Sequence, residues 1–241
     1  MNGAFLNALG ILLGALFGLA RRAPLAARTQ AFYRAALGVF TLFAGARLVA
    51  DPLGPGFLTA LTRLLIGLLA VILGCWTGKL LGLQKMSNWL GRRAGGVLAA
   101  AAAHPPGRPG AGLAACVVLF GVAPLGWLGA VEAGLTGRFY LLAAKALMDA
   151  LAMAGFVKWF GWLPALSAFP VLALFGAVAW GCEQVAAPFC QAHHLAGAVT
   201  AATGWIACAV SLVIFEVRRV ELANYLPALV LAPLLEWLWR G

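Results

Sequence analysis

Charge is what this sequence has least of. Only 10% of its 241 residues are Asp, Glu, Lys or Arg, against roughly 25% in an ordinary soluble domain. The seven acidic residues are spread thinly, and none occurs between Asp51 and Glu132. A soluble helix bundle needs a polar stripe on each helix, and the long runs here have none. Histidine is also scarce, with three in all. His193 and His194 are adjacent, so their side chains diverge on a helix, and no carboxylate lies close by. Neither a metal site nor a cofactor is therefore expected. The five cysteines include no CxxC pair, which removes the usual zinc and thiol-redox patterns. Most fall in apolar runs, where a thiol acts as a small hydrophobe; only Cys182 and Cys190, flanking one short loop, are placed to meet. No HExxH, GxSxG, P-loop or GxGxxG context occurs. Ser167 and Ser211 have no evident base, so no enzyme is expected.

What the chain does have is apolar length: 63% of its residues are hydrophobic and its mean hydropathy is +0.96. A helix needs about 20 apolar residues to cross a bilayer. Cutting at charges and Pro/Gly clusters leaves eight segments: Ala4–Ala20, Ala35–Ala50, Leu61–Leu83, Gly112–Glu132, Phe139–Phe160, Leu163–Cys182, Leu195–Phe215 and Leu222–Trp239. The expected fold is all-α, a polytopic transmembrane helical bundle in one domain over 1–241. It has about eight spans, or seven if the fourth or eighth is re-entrant. The first segment lacks a basic n-region and is followed by Arg21 and Arg22, so it reads as a retained span rather than a cleaved leader.

The net charge of +10 does not point to nucleic acid, which would need a basic stripe on a folded surface. The basic residues instead cluster between apolar runs. Arg21, Arg22, Arg28, Arg34, Lys79, Lys85, Arg92, Arg93, Arg108, Lys158, Arg218 and Arg219 fall at one end of the spans. Arg47, Arg63, Arg138 and Arg240 fall at the other, with Lys145 inside the membrane. By the positive-inside rule both termini face outward. Residues 84–111 form the one long linker, expected on the cytoplasmic surface. It holds an amphipathic stretch from Lys85 to Arg93, an Ala run and His104-Pro105-Pro106-Gly107. Its basic residues could attract anionic lipid; the plainer reading is a solvated loop that fixes topology.

Thirty glycines supply packing faces. Gly10, Gly14 and Gly18 in the first span, and Gly74, Gly78 and Gly82 in the third, each form a double GxxxG. Residues four apart share a helix face, so another backbone can approach closely there, within the chain or in a homodimer. ILLGALFGLARR at Ile11 resembles VILGCWTGKLLGLQK at Val71, as a duplication would. Gly38 and Gly45 share a spacing of seven with Gly197 and Gly204, as an inverted repeat would.

The chemistry concentrates between Gly121 and Asp149. Gly121, Pro124, Gly126, Gly129, Gly134 and Gly137 interrupt the fourth span, and Pro124 lacks a backbone donor. Unwound backbone at membrane depth is tolerated only inside protein or along a watery cavity. Glu132 lies near the end of this broken helix, while Lys145 and Asp149, four apart, share a face of the next. One ionisable side chain alone at the bilayer centre costs about 2.5 kcal/mol or more, so Glu132, Lys145 and Asp149 are expected in one polar cluster. The cluster could be a relay, a substrate anchor or a static bridge. Asn224 fits either an N-cap before Pro227 or an inward polar group, and Asn7 offers a second amide. Glu183 and Glu236 sit at span ends and are expected to reach water.

GAVEAGLTG at Gly129–Gly137, AKALMD at Ala144–Asp149 and NYLPAL at Asn224–Leu229, with Asn7 before the first glycine run, resemble a bacterial inner-membrane family catalogued as domain of unknown function 554. The likeness covers nearly the whole chain. It implies a multi-pass protein of the bacterial inner membrane, in a family often described as transporters, and carries Glu132, Lys145, Asp149 and Asn224 over as matching residues. Two places depart: Ala133 and Arg138 stand where the family often has a further acidic or polar residue and an Asp. A cation site that needs those extra carboxylates is not implied.

The sequence thus raises a transporter or channel for a small solute or ion. Its pathway would be lined by Glu132, Lys145, Asp149, Asn224 and Asn7 with Gly129, Gly134 and Gly137. The alternative is a non-transporting scaffold or assembly protein, in which the same residues form a closed, dry bridge.

Overall fold

The computed structural model describes residues 1–21, 26–52, 56–103 and 108–240; Arg22 and His104–Gly107, read above as loop residues, lie outside them. The described residues are all-helical, with no strand. The helices are α1 (Asn2–Ala20), α2 (Ala27–Ala50), α3 (Phe57–Leu80), α4 (Leu83–Ala103), α5 (Pro109–Val122), α6 (Pro124–Thr136), α7 (Tyr140–Phe160), α8 (Ala168–Gly181), α9 (Ala187–Ala192), α10 (Ala196–Ile214) and α11 (Ala228–Arg240). Short 3-10 turns at Leu163–Ser167 and Leu222–Tyr225 lead into α8 and α11, and a π turn at Cys182–Ala186 joins α8 to α9. Among these residues seven helices are long and apolar enough to cross a membrane, and eight if the bent pair α5 and α6 is one span.

Glycine decides which helices touch. A Cβ built on Gly10 would stand 2.6 Å from the Ala146 carbonyl oxygen, and one on Gly14 2.5 Å from Ala150 Cα. One on Gly18 would stand 2.5 Å from the Ala154 carbonyl oxygen. The register rises together on both helices, so α1 and α7 run parallel, backbone against backbone. α2 packs antiparallel on α10, where Gly45 and Gly204 meet each other's carbonyl oxygens. Gly74 and Gly78 of α3 lie on Ala228 and Asn224. These faces are filled within the chain, which leaves them nothing to offer a second copy. Gly82 is different: it follows the end of α3 with φ +66° and has nothing within contact of its Cβ position. It is a turn residue and not part of the packing stripe, since glycine takes a left-handed backbone without steric cost.

Three clusters fill the interior. Ile11, Phe120, Met153 and Phe175 join α1, α5, α7 and α8. Leu48, Leu128, Leu141 and Ile206 join α2, α6, α7 and α10. Leu195, Val199 and Ala232 fill the space among α3, α10 and α11. On the opposite faces Phe5, Leu9, Leu13 and Leu16 of α1, and Leu65, Ile72 and Trp76 of α3, are exposed. Such a surface fits hydrocarbon and not water.

Of the stretch expected to be a linker, the part up to Ala103 lies in a single 21-residue helix, α4. Its alanine run has the highest intrinsic helix propensity, and Ala94, Leu98 and Ala101 pack against Ala115 and Phe160. Gly95 and Gly96 lie inside α4 with open space around them. Replacing both by Ala is expected to stabilise α4 by up to about 1 kcal/mol per site, seen as slower hydrogen exchange of its amides in the purified protein.

Candidate functional site in the helix core

α5 ends at Val122 and α6 begins at Pro124, and their axes meet at 56°. Ala123 between them has φ −57° and ψ 120°, the extended conformation that a following proline favours. Pro124 has no N–H to return to α5. The Trp127 indole N–H instead donates to the Gly121 carbonyl at 3.0 Å, so part of the freed backbone is satisfied locally.

Beside this break lies the buried ion pair. Lys145 Nζ donates to Asp149 Oδ2 at 2.5 Å, with side-chain exposures of 2% and 8%. The ammonium stands 5.7 Å and 5.4 Å from the ring centres of Phe120 and Phe175. Both rings present electron-rich faces that attract a desolvated cation. Gly126 opens room for the lysine stem, since a Cβ there would stand 2.7 Å from Lys145 Cε. From α1, Asn7 faces the Asp149 carboxylate. Asn7 is fully buried, yet neither its amide nitrogen nor its oxygen makes a full hydrogen bond.

Glu132 is not part of this group. Its carboxylate accepts a hydrogen bond from the Thr136 hydroxyl at 2.9 Å, and Thr200 faces it from α10. Its charged neighbours are Arg138 and Asp51, themselves bridged at 3.1 Å. Gly126 of α6 is level with Lys145, and Glu132, six residues further along α6, sits nearer the Gly137 turn (φ +73°) among other partners. The expected single cluster is therefore two. Asn224 also stands apart from Lys145: its Oδ1 accepts the Gln84 backbone N–H at 3.0 Å, while Gln84 Oε1 accepts the Ala223 N–H at 3.1 Å. Its amide nitrogen donates to Glu221 at 2.8 Å. This reciprocal clamp ties the start of α4 to the entry of α11. Gly129 and Gly134 admit Leu142 and Ala179, and Gly137 turns the chain; all three position helices.

Two further expectations change. Glu236 does not reach water; it is 2% exposed, accepts the Ala198 N–H at 3.1 Å at the start of α10 and lies 4.0 Å from Arg63. A carboxylate there meets orphan helix amides. Glu183 is exposed. Cys182 and Cys190 are both free, and no group of metal-ligating side chains occurs among the described residues.

A partly open cavity of about 730 Å³ lies at the end of the bundle where α1, α7 and α10 finish and α2 begins. It reaches Ala123, Pro124 and Leu125 at the helix break, and Met148 and Ala152, which flank Asp149 in α7. Its lining includes Arg21, Arg34, Lys158 and Glu216. Arg34 bridges Glu216, and Lys158 donates to the Arg21 carbonyl. The sequence marked the ion pair through its i,i+4 spacing and the break through Pro124. Phe120, Phe175 and Gln84 carried no such signal, because their roles depend on helix partners distant in sequence.

A family model described as "Protein of unknown function (DUF554)" matches residues 2–237. The chain belongs to the DUF554 family. This member is also similar to the uncharacterized protein YqgA of Escherichia coli (strain K12), at 26% identity over 244 residues, covering 99% of this chain and 97% of that protein. No solved structure matches. The Lys145–Asp149 pair and the Pro124 break described above thus lie within the matched part of a DUF554 protein.

Proposed function

We propose that this chain is a transport protein of the bacterial inner membrane, with both termini outside. A small solute or ion would pass through the cavity to the broken helix, and no enzymatic step is involved. Lys145, Asp149 and Asn7 form its internal site. The observation that carries this reading is the buried Lys145–Asp149 pair, to which Asn7 turns its amide while the Asn7 Oδ1 is left without a hydrogen-bond partner. A buried polar atom without a partner costs about 1–3 kcal/mol, so a bridge serving only stability would do better without it. The cavity supports the reading because it runs from the basic end to the residues flanking Asp149.

The scaffold reading has one observation in its favour, the dryness of the Lys145–Asp149 pair. Flux decides between them. Reconstituted in liposomes and screened across ions and small metabolites, the parent is expected to exceed empty liposomes for at least one solute. Asp149→Asn and Lys145→Met, where still folded, are expected to abolish that flux. Equal flux in all three proteins discards the site, and a parent without flux for any solute favours the scaffold.

A further inference from the structure

The cavity leading to the site has an uneven chemistry. Its deep wall is apolar, formed in part by Leu37, Leu125, Met148, Leu151, Phe156 and Ile214. Among the described residues its rim carries the cations of Arg21, Arg34 and Lys158 against the carboxylate of Glu216. Its volume of about 730 Å³ is of the size that encloses a small organic molecule. We propose that the cavity takes an amphipathic organic anion, its carboxylate or phosphate head held at the Arg21–Arg34–Lys158 rim and its apolar body lying along the wall toward Pro124. This rests on the transport reading of the same cavity and adds the class of solute.

The rim cations are arranged to receive a head group. Arg21 stands 5.3 Å above the Phe17 ring, a contact that fixes the plane of its guanidinium. Arg34 gives a hydrogen bond to Glu216, and Lys158 gives one to the Arg21 carbonyl. A guanidinium carries five N–H donors and an ammonium three, more than those contacts use. The remaining donors suit an oxyanion, whose charge-assisted hydrogen bonds are stronger than neutral ones. A cationic solute would meet like charge at the entrance. A sugar would find mostly apolar side chains along the wall. Arginines that only fix topology can sit anywhere on that end of the bundle, as Arg92 and Arg93 do on α4; these three line the cavity that reaches the helix break.

The test uses the full chain in phosphatidylcholine nanodiscs and three photoreactive probes with the same medium-length alkyl chain, ending in a carboxylate, an alcohol or an amine. The carboxylate is expected to label α7 between Met148 and Trp159 about tenfold more than the alcohol at equal concentration, and the amine not above background. Arg34→Gln with Lys158→Gln is expected to erase that preference, while Lys158→Arg, which keeps the charge, retains it. Phosphatidylglycerol added to the disc identifies the source of the head group: displacement of the probe makes a bilayer lipid the occupant, and retention makes it a free anion, either result supporting the stated chemistry. Equal labelling by carboxylate and alcohol overturns the anion assignment and leaves the cavity standing as a route. No labelling of this part of α7 by any probe overturns the cavity reading itself.

Discussion

Lys145→Met alone is expected to destabilise the folded chain by about 3–5 kcal/mol, and the double change Lys145→Met with Asp149→Leu to restore most of that stability without restoring flux. The reason is the asymmetry of buried charge. Removing one partner leaves Asp149 uncompensated among apolar side chains, whereas removing both replaces a pair whose mutual attraction mainly offsets its own desolvation. The Phe120 and Phe175 rings around the ammonium would pack equally well on a methionine. Thermal unfolding of the purified single and double variants measures this. A double variant as unstable as the single would mean that the pair does not act as an energetic unit. A double variant that is both stable and active in flux would mean that the charges serve the fold and not passage.

Gly14→Leu is expected to abolish folding, while Gly91→Ala leaves it intact. A Cβ at Gly14 already falls 2.5 Å from Ala150 Cα, and that neighbour is backbone in the middle of a helix, which cannot rotate aside. Overpacking a core by a few methylenes costs about 1–3 kcal/mol where side chains can yield; here α1 would have to leave α7 altogether. Gly91 has open space at its Cβ position and lies in a helix, where alanine is favoured. Size-exclusion profiles of the solubilised variants read the difference, and a monodisperse Gly14→Leu protein would refute the packing described for α1. Detaching α1 would also remove Asn7 from Asp149, so this packing positions the site as well as holding the fold.

Much of this arrangement was legible before any coordinates. Apolar run length marks the spans because a bilayer of fixed thickness requires it. Pro124 marks the break because it lacks a donor, and the i,i+4 spacing pairs Lys145 with Asp149 because a helix places them on one face. What could not be read was which helix faces which. Proximity in sequence groups Glu132 with Lys145, but Thr136 of α6 and Thr200 of α10 hold its carboxylate elsewhere. Asn224 reads as a helix cap, yet its partner Gln84 lies 140 residues away. The parallel seating of α1 on α7, which brings Asn7 to Asp149, depends on glycine stripes that look alike in several helices; only the register in space separates them. The α4 helix is hard to read because its first half is polar and the partners of its apolar second half, Ala115 and Phe160, lie on other elements.

The central claim is that the cavity carries water from the basic end of the bundle to the level of the helix break and stops there, short of the buried Lys145–Asp149 pair. Cysteine accessibility tests it most directly. With the five native cysteines replaced by alanine or serine, single cysteines are placed at Met148, Ala152 and Leu142 in sealed vesicles of defined orientation and treated with a membrane-impermeant thiol reagent. Met148→Cys and Ala152→Cys, which line the cavity, are expected to react only from the side bearing Arg21, Arg34 and Lys158. Leu142→Cys, fully buried beyond Lys145, is expected to react from neither side. Protection of all three positions from both sides, or equal reaction from both, would contradict the account.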